Sequence, residues 1–175
     1  MTEHRIKGKN VLIAGGGKNL GGLIARDLAA HGAKAVAIHY NSAATQADAE
    51  ATVAAVKAAG AQAAAFQADL ISAGAMEKLF ADAAAAFGPP DIAINTVGKV
   101  LKKPILDISE AEYDEMSAVN AKTAFFFLKE AGKNDAAFAR ISTADSDGDG
   151  GANAAEAQAK ANPGDKASTL KQPGR

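Results

Sequence analysis

A run of glycines near the N-terminus has residue types and a spacing that suit phosphate binding. The segment from Ala14 to Gly22 reads AGGGKNLGG and directly follows the apolar run NVLIA. Glycines let the backbone turn tightly and approach an anion closely, and a following helix presents unpaired N–H groups at its positive dipole end. The segment therefore predicts a pyrophosphate-binding turn between a strand and a helix. It lacks the strict G-x-G-x-x-G spacing, and it is not a Walker A loop because no Gly-Lys-Ser/Thr follows at the right spacing.

A second segment carries oxygen ligands at a spacing that suits calcium. Residues 145–156 read DSDGDGGANAAE and satisfy the loop pattern D-x-[DN]-x-[DN]-G-x5-E. The candidate ligands are Asp145, Asp147, Asp149, Gly151 through its carbonyl, Asn153 and Glu156. Residues 137–160 thus resemble a single EF-hand, although Ala152 stands where such a loop normally has a branched apolar residue. A calcium site and a polar linker that binds no metal are both open interpretations.

Apolar runs and helical periodicities alternate along the chain before this segment. Strands are predicted within residues 10–16, 33–40, 61–70 and 91–98, and helices within residues 20–33, 43–61, 72–90 and 108–134. Short connections between alternating strands and helices indicate parallel strands joined by right-handed crossovers. The predicted fold is α/β, a doubly wound, Rossmann-like parallel sheet that is incomplete, with ligands at the carboxyl ends of its strands.

Individual residues mark the ends of these predicted helices. Gly32 and Gly60 stand where the first and second helices should stop, since glycine adopts the left-handed conformation of a helix C-terminus. Ser72 is a candidate N-cap of the third helix. Ser109 and Glu112 have the spacing of a capping box at the start of the fourth.

Composition limits the classes of function. The 175 residues include 19 Lys and Arg, 20 Asp and Glu, and no cysteine. Such a charge balance does not favour nucleic acid or a membrane as partner, and disulfides, thiolate metal sites and a cysteine nucleophile are excluded. No apolar run is long enough for a signal peptide or a membrane span, so a cytoplasmic protein is expected.

The chain divides into two parts by composition. Large apolar side chains are spread through residues 1–134, whereas from Ser142 to Arg175 the only one is Leu170. A segment so poor in large apolar side chains cannot offset the entropy cost of ordering. We therefore expect a nucleotide-binding domain over residues 1–134 and a mostly disordered polar tail over residues 135–175.

Residues 9–134 resemble the N-terminal part of the short-chain dehydrogenase/reductase family. The family's loop, Thr-Gly-x-x-x-Gly-x-Gly, is matched from Ala14 to Gly21, with Ala14 in place of the threonine and Asn19 in place of the middle glycine. Asparagine tolerates a left-handed backbone, so Asn19 is compatible with the loop. The segment AINTVG, residues 93–98, ends the fourth strand where the family has Asn-Asn-Ala-Gly, and it matches at Asn95 and Gly98 but not at the two residues between them.

The resemblance implies a site as well as a fold. Asp69 and Leu70 match the pair that contacts adenine in the family, and Asn120 matches the helix asparagine of its catalytic tetrad. A polar residue that merely bonds the local backbone is the alternative for Asn120. The implied cofactor-binding residues are Gly15, Gly17, Lys18, Asn19, Leu20, Gly21, Tyr40, Asn41, Ser42, Asp69, Leu70, Asn95 and Gly98.

The end of the second strand favours NADP(H) over NAD(H) as the implied cofactor. An NAD site usually offers an acidic residue there for the ribose hydroxyls, but this strand ends HYNSAAT and no acid follows until Asp48. The neutral residues His39 to Ser42 leave room for a 2′-phosphate and offer it hydrogen bonds. Lys18 provides the basic residue with which that phosphate would pair.

The family resemblance also implies groups that this chain lacks. Its members transfer a hydride between the dinucleotide and a small carbonyl or alcohol substrate, with a serine, a tyrosine and a lysine four residues after the tyrosine. The chain has two tyrosines, Tyr40 and Tyr113, and neither precedes a lysine by four residues. We therefore expect an oxidoreductase domain with impaired activity. The alternative is a non-catalytic nucleotide- or calcium-binding protein that acts through partners.

The predicted fourth helix is a candidate contact between copies of the chain. In the family the oligomer forms largely through the helix that carries the asparagine matched by Asn120. A homo-oligomer through residues 109–133 is therefore expected. Phe125, Phe126 and Phe127 are suited to such a contact or to the core.

Overall fold

Four parallel strands form a single sheet. In this computed structural model the described residues are 6–133. The strands are β1 (Asn10–Ala14), β2 (Ala35–Tyr40), β3 (Gln62–Gln67) and β4 (Ile92–Asn95). Their spatial order is β3-β2-β1-β4, and every neighbouring pair is parallel. The predicted doubly wound parallel sheet is confirmed, and β4 is its edge strand within the described part of the chain.

Five α-helices connect and follow the strands in the described residues. They are α1 (Asn19–Ala30), α2 (Gln46–Ala58), α3 (Ala73–Phe87), α4 (Glu110–Met116) and α5 (Thr123–Gly132). Gly32 and Gly60 follow α1 and α2 with φ of +87° and +95°, as their predicted role requires. The Ser72 hydroxyl accepts a hydrogen bond from the Ala75 N–H, so it is the N-cap of α3 as predicted.

The sheet buries both of its faces. Alternate residues of a strand point to opposite sides, and each side meets its own helices. One core cluster contains Val11, Ile13, Val36, Ile38, Ala25, Ala29, Ala49 and Val56, and so joins the sheet to α1 and α2. The other contains Leu12, Ala14, Ala37, Leu70, Met76, Leu79, Ala83 and Phe127, and so joins it to α3 and α5. Burial on both faces explains why the strands read as continuous apolar runs.

The last predicted helix contains a π-helical segment. The chain is helical from Glu110 to Gly132, as the predicted long helix requires, but its middle, Ser117–Lys122, is π-helical and separates α4 from α5. Two side chains bond to backbone carbonyls beside the segment: Asn120 Nδ2 donates to the Met116 oxygen at 2.9 Å and Thr123 Oγ1 donates to the Ala118 oxygen at 3.1 Å. Side chains that bond to the backbone in this way compete with regular helical hydrogen bonds.

The start of α4 is held by the predicted capping box. Ser109 Oγ accepts from the Glu112 N–H, and the Glu112 carboxylate accepts from the Ser109 N–H at 2.8 Å. The Glu112 carboxylate accepts from the Ser109 N–H, from Lys103 Nζ and from the Ser109 hydroxyl, and these bonds lower the pKa of Glu112 to about 2. Because this folded-state pKa lies below the usual 4.5, the stabilisation by Glu112 is complete above pH 4.5 and is lost as the pH falls towards 2.

Several sequence predictions fall on parts of the chain outside the described residues. These are the candidate calcium ligands of 145–156, the EF-hand resemblance over 137–160 and the disordered tail over 135–175. Within residues 6–133, no group of three or more His, Asp or Glu side chains is placed to hold a metal ion. None of the helices in that range has the length and apolar character needed to cross a membrane.

Candidate functional site

A cleft of about 520 Å³ lies at the carboxyl ends of the strands. Chain order reverses between β1 and β4, and in open α/β sheets ligands bind at such a reversal. The loop between β1 and α1, residues 15–18, lies at this point. The cleft extends from there towards the ends of β2 and β3 on one side and of β4 on the other.

Most of the cofactor-binding residues implied by the sequence line this cleft. The structure brings together Gly15, Gly17, Lys18, Asn19, Leu20, Gly21, Tyr40, Asn41, Asp69, Leu70 and Gly98. Asn95 and Ser42 are not among the residues that line it. Asn95 Oδ1 accepts from the Val97 N–H at 2.9 Å, and the Ser42 carbonyl accepts from the Thr45 N–H at 2.9 Å, so both shape neighbouring turns.

The glycine loop has the backbone conformation that its sequence suggests. Asn19 is the only non-glycine residue of the described chain with a positive φ, at +50°, and Gly15 has a φ of +76°. Lys18 is the N-cap residue of α1, and within the described structure no side chain caps this helix end. The first-turn N–H groups of α1 therefore point towards the cleft as donors for an anion.

Two glycines pack against the end of β4. A Cβ built on Gly21 would lie 2.2 Å from the Gly15 carbonyl oxygen, and one built on Gly15 would lie 2.7 Å from Thr96 Oγ1. Thr96 Oγ1 also donates to the Ala14 carbonyl at 2.9 Å. Thr96 was not among the predicted site residues, because it departs from the family motif, yet it lines the cleft.

A buried threonine supports the loop from α2. Thr52 is 1% exposed and donates from Oγ1 to the Gly17 carbonyl at 2.7 Å. Sequence reasoning missed this residue. The spacing of Ala49, Thr52 and Val56 on one buried helix face could have identified Thr52 as a buried polar residue that needs a hydrogen-bond partner.

His39 joins the glycine loop to the end of β3. Its side chain is 2% exposed, Nδ1 lies 3.1 Å from the Gly15 nitrogen and Nε2 lies 2.9 Å from the Ala68 oxygen. Burial lowers the pKa of His39 below its usual 6.5, although the bond to Ala68 and the charge of Asp69 act in the opposite direction. His39 was predicted as a hydrogen-bond partner for a 2′-phosphate, but both of its ring nitrogens bond to the backbone.

The sequence model of the short chain dehydrogenase family matches residues 9–142 of this chain. The chain belongs to that family. The cleft therefore lies at the carboxyl ends of the strands of a short chain dehydrogenase fold, beside the loop that follows its first strand.

Named relatives agree with this assignment. The short chain dehydrogenase/reductase nsrJ of Aspergillus novofumigatus is 40% identical over 130 residues, which cover 74% of this chain and 48% of nsrJ. Elsinochrome reductase 1 of Elsinoe fawcettii is 37% identical over 142 residues, which cover 81% of this chain and 52% of that protein. The chain thus spans about half the length of these curated relatives.

Solved structures give the same result. The structure of a dehydrogenase from Burkholderia cenocepacia with bound NADP is 74% identical to this chain and superimposes with a TM-score of 0.74. The match covers 76% of this chain and 50% of that one. A blue fluorescent protein from a metagenomic library, solved in complex with NADPH, is 29% identical with a TM-score of 0.69.

Asn120 holds the segment that follows β4. Its Oδ1 accepts from the Lys99 N–H at 3.0 Å and its Nδ2 donates to the Lys99 carbonyl at 3.0 Å. The side chain lies outside the cleft wall, which Lys99 lines together with its ion-pair partner Glu115. The geometry is that of a backbone-bonding residue, and a catalytic role of Asn120 stays a prediction.

Charged groups lie at both ends of the cleft. At the β2 end, Lys18 Nζ lies 3.3 Å from Asp48 Oδ2, and both side chains are about half exposed. At the β4 end, Lys99 pairs with Glu115. Of these residues, only Lys18 was predicted to belong to the site, because the pairing of the others depends on the packing of α2 and α4.

Proposed function

We propose that this chain binds NADP(H) as the cofactor-binding part of an oxidoreductase that acts on a small carbonyl or alcohol substrate. One observation carries the proposal: the glycine loop and the uncapped start of α1 open into a cleft at the reversal of strand order. The similar dehydrogenase from Burkholderia cenocepacia was solved with bound NADP, and elsinochrome reductase 1 is named as a reductase. Both support the proposed cofactor and reaction.

The residues of the cleft suit a dinucleotide whose adenine lies near the ends of β2 and β3 and whose other half lies near the end of β4. The glycine loop and the first N–H groups of α1 would hold the pyrophosphate. Asp69 and Leu70 would border the adenine, and Lys18 at the same end would pair with a 2′-phosphate. The segment after β4, including Gly98, would border the other half of the cofactor. When bound, that half supplies the hydride, and the residues of this chain bind and orient it.

We also propose that this chain binds the cofactor without reducing a carbonyl. A tyrosine general acid needs a nearby lysine to lower its pKa, and Ala44 and Ser117 stand four residues after the two tyrosines. Tyr40 lines the cleft, whereas Tyr113 is exposed on α4. Binding and turnover are therefore expected to separate in this chain.

Titration with NADPH, followed by the fluorescence of the reduced nicotinamide, tests both parts. We expect saturable binding and no oxidation of NADPH in the presence of a panel of ketones and quinones. No binding up to millimolar cofactor would overturn the proposed function. Reduction of any panel member would refute only the second part, the absence of turnover.

Replacing Lys18 by alanine tests the choice of cofactor. A charge-assisted hydrogen bond contributes about 1.5–3 kcal/mol, so loss of the cation should weaken NADPH by roughly tenfold or more relative to NADH. The measurement is the ratio of the two dissociation constants in wild type and variant. An unchanged ratio would show that Lys18 does not contact the 2′-phosphate.

A substitution at Asp48, the ion-pair partner of Lys18, should change NADPH affinity in the opposite direction. Asp48→Asn removes the carboxylate that competes for Lys18, and an exposed pair contributes up to about 1 kcal/mol. NADPH should therefore bind roughly two- to fivefold more tightly, with NADH unaffected. For Lys18→Ala the matched control is Lys34→Ala, which also removes an exposed lysine. Lys34 directly precedes the first residue of β2, so it lies at the amino ends of the strands, away from the cleft.

A further inference from the structure

We infer that His39 is a positioning residue of the cofactor site, which holds the glycine loop in its binding conformation only while its ring is neutral and carries its proton on Nε2. The inference rests on the proposed binding of a dinucleotide to this cleft. It adds a residue that contacts no reacting atom and acts through the Gly15 backbone. It also predicts that cofactor affinity falls on acidification.

The hydrogen bonds of the ring determine its tautomer. The Gly15 N–H can only donate, so Nδ1, at 3.1 Å, must be an unprotonated acceptor. The Ala68 carbonyl can only accept, so Nε2, at 2.9 Å, must carry the proton. Both bonds are satisfied together in one neutral form of the ring. That form links the first glycine of the loop to the backbone next to Asp69.

Protonation would break this arrangement at the loop. A doubly protonated ring has two donors, so an N–H on Nδ1 would face the N–H of Gly15. Gly15 has a φ of +76°, and a Cβ built on it would lie only 2.7 Å from Thr96 Oγ1, so a shift of its nitrogen would move the start of the loop against the end of β4. The N–H groups at the start of α1 would then lose their alignment towards the pyrophosphate.

The surroundings of the ring explain why the neutral form is favoured. His39 is 2% exposed, and this burial is the largest effect on its pKa, which it lowers. The negative charge of Asp69, two residues after β3, favours the protonated form. The other ionisable side chains of the cleft wall are Lys18 on the loop, Tyr40 on β2, Lys99 after β4 and Glu115 on α4.

The sign of the pH effect follows from the lowered pKa. The unfolded chain binds a proton near pH 6.5, whereas the folded chain does so only at lower pH. The stabilisation that His39 contributes to the fold is therefore complete above pH 6.5 and is lost as the pH falls through the lower, folded-state value. Cofactor affinity should fall over the same window as the folded-state ring gains its proton.

The experiment is a titration of the full chain with NADP⁺ and with NAD⁺ between about pH 8 and pH 5.5, in wild type and in His39→Gln. As the His39 ring gains its proton on acidification, we expect the affinity of the wild type for both cofactors to fall by up to roughly tenfold, the loss of about one hydrogen bond. In His39→Gln the dependence for NAD⁺ should disappear. A residual dependence for NADP⁺ should remain, because a phosphate monoester has a second pKa of about 6.

A measurement on the wild type alone keeps the inference testable where the variant is unstable. The ¹⁵N chemical shifts of the ring, recorded at neutral pH, should show Nε2 protonated and Nδ1 unprotonated, with a midpoint of titration below 6.5. A proton on Nδ1, or a midpoint at or above 6.5, would overturn the inference. So would an NAD⁺ affinity of His39→Gln that falls with acidification as steeply as that of the wild type.

The outcomes separate this inference from the function on which it rests. Absence of binding by either cofactor at about pH 8 would refute the proposed function itself. Binding at that pH, with the same pH dependence in wild type and variant, would leave the function standing and refute only the role of His39.

Discussion

Replacing Gly21 by alanine should nearly abolish cofactor binding. The added Cβ would lie 2.2 Å from the Gly15 oxygen and 2.7 Å from Thr96 Oγ1, and the first of these is backbone that cannot rotate away. The loop must therefore shift away from α1, which misaligns the donors for the pyrophosphate. We expect the dissociation constant for NADPH to rise by roughly 100-fold, which corresponds to about 2.7 kcal/mol, near the upper end of the roughly 1–3 kcal/mol that an overpacked contact costs. Fluorescence titration measures the effect.

Gly74→Ala is the matched control for this substitution. Gly74 lies in the first turn of α3, and a Cβ built on it would meet only Ser72 Oγ, at 3.9 Å. Alanine should fit there and stabilise the helix by up to about 1 kcal/mol, with NADPH affinity unchanged. Similar affinities of Gly21→Ala and wild type would show that the loop adapts and that the close packing of Gly21 is not required for binding.

Truncating Phe127 should cause the largest loss of stability among the substitutions considered. Phe127 is 2% exposed, belongs to the core cluster that contains Leu12, and its ring centroid lies 5.2 Å from that of Phe80. Loss of a buried phenylalanine leaves a cavity, and we expect Phe127→Ala to lower the free energy of unfolding by about 3–5 kcal/mol. Urea denaturation followed by circular dichroism measures this change.

Phe125→Ala is the corresponding control on the same helix. Phe125 is 65% exposed, so its truncation should change the free energy of unfolding by less than about 0.5 kcal/mol. Equal losses in the two variants would contradict the packing of α5 against the sheet described above. The same Phe125 variant, compared with wild type by sedimentation, tests the predicted homo-oligomer through residues 109–133.

Local patterns were sufficient to predict the elements of this fold. Period and composition identified the four strands, and the left-handed glycines, the Ser72 cap and the Ser109–Glu112 capping box all lie where predicted. Such features depend on residues a few positions apart, so a linear sequence contains them in full. The π-helical segment between α4 and α5 was not predicted. Asn120 in that segment bonds to Lys99, 21 residues before it in the chain, and such a contact cannot be read from neighbouring residues.

The partners of the glycine loop could not be read in the same way. Its conformation depends on Thr52 from α2, His39 from β2 and Thr96 from the end of β4, each brought to it by a crossover. The ring of His39 and the carboxylate of Asp48 were both visible in the sequence. Their roles depend on burial and on distances that only the packed sheet and helices establish.

The sequence by itself determined the class of fold, the position of the glycine loop and the tolerance of Asn19 for a positive φ, because each of these follows from short-range periodicity or backbone sterics. Only the tertiary structure decided which side chains meet at that loop. Hydrogen bonds to Gly15 and Gly17 come from residues 24 and 35 positions away, and their geometry exists only when the strands and helices are packed together.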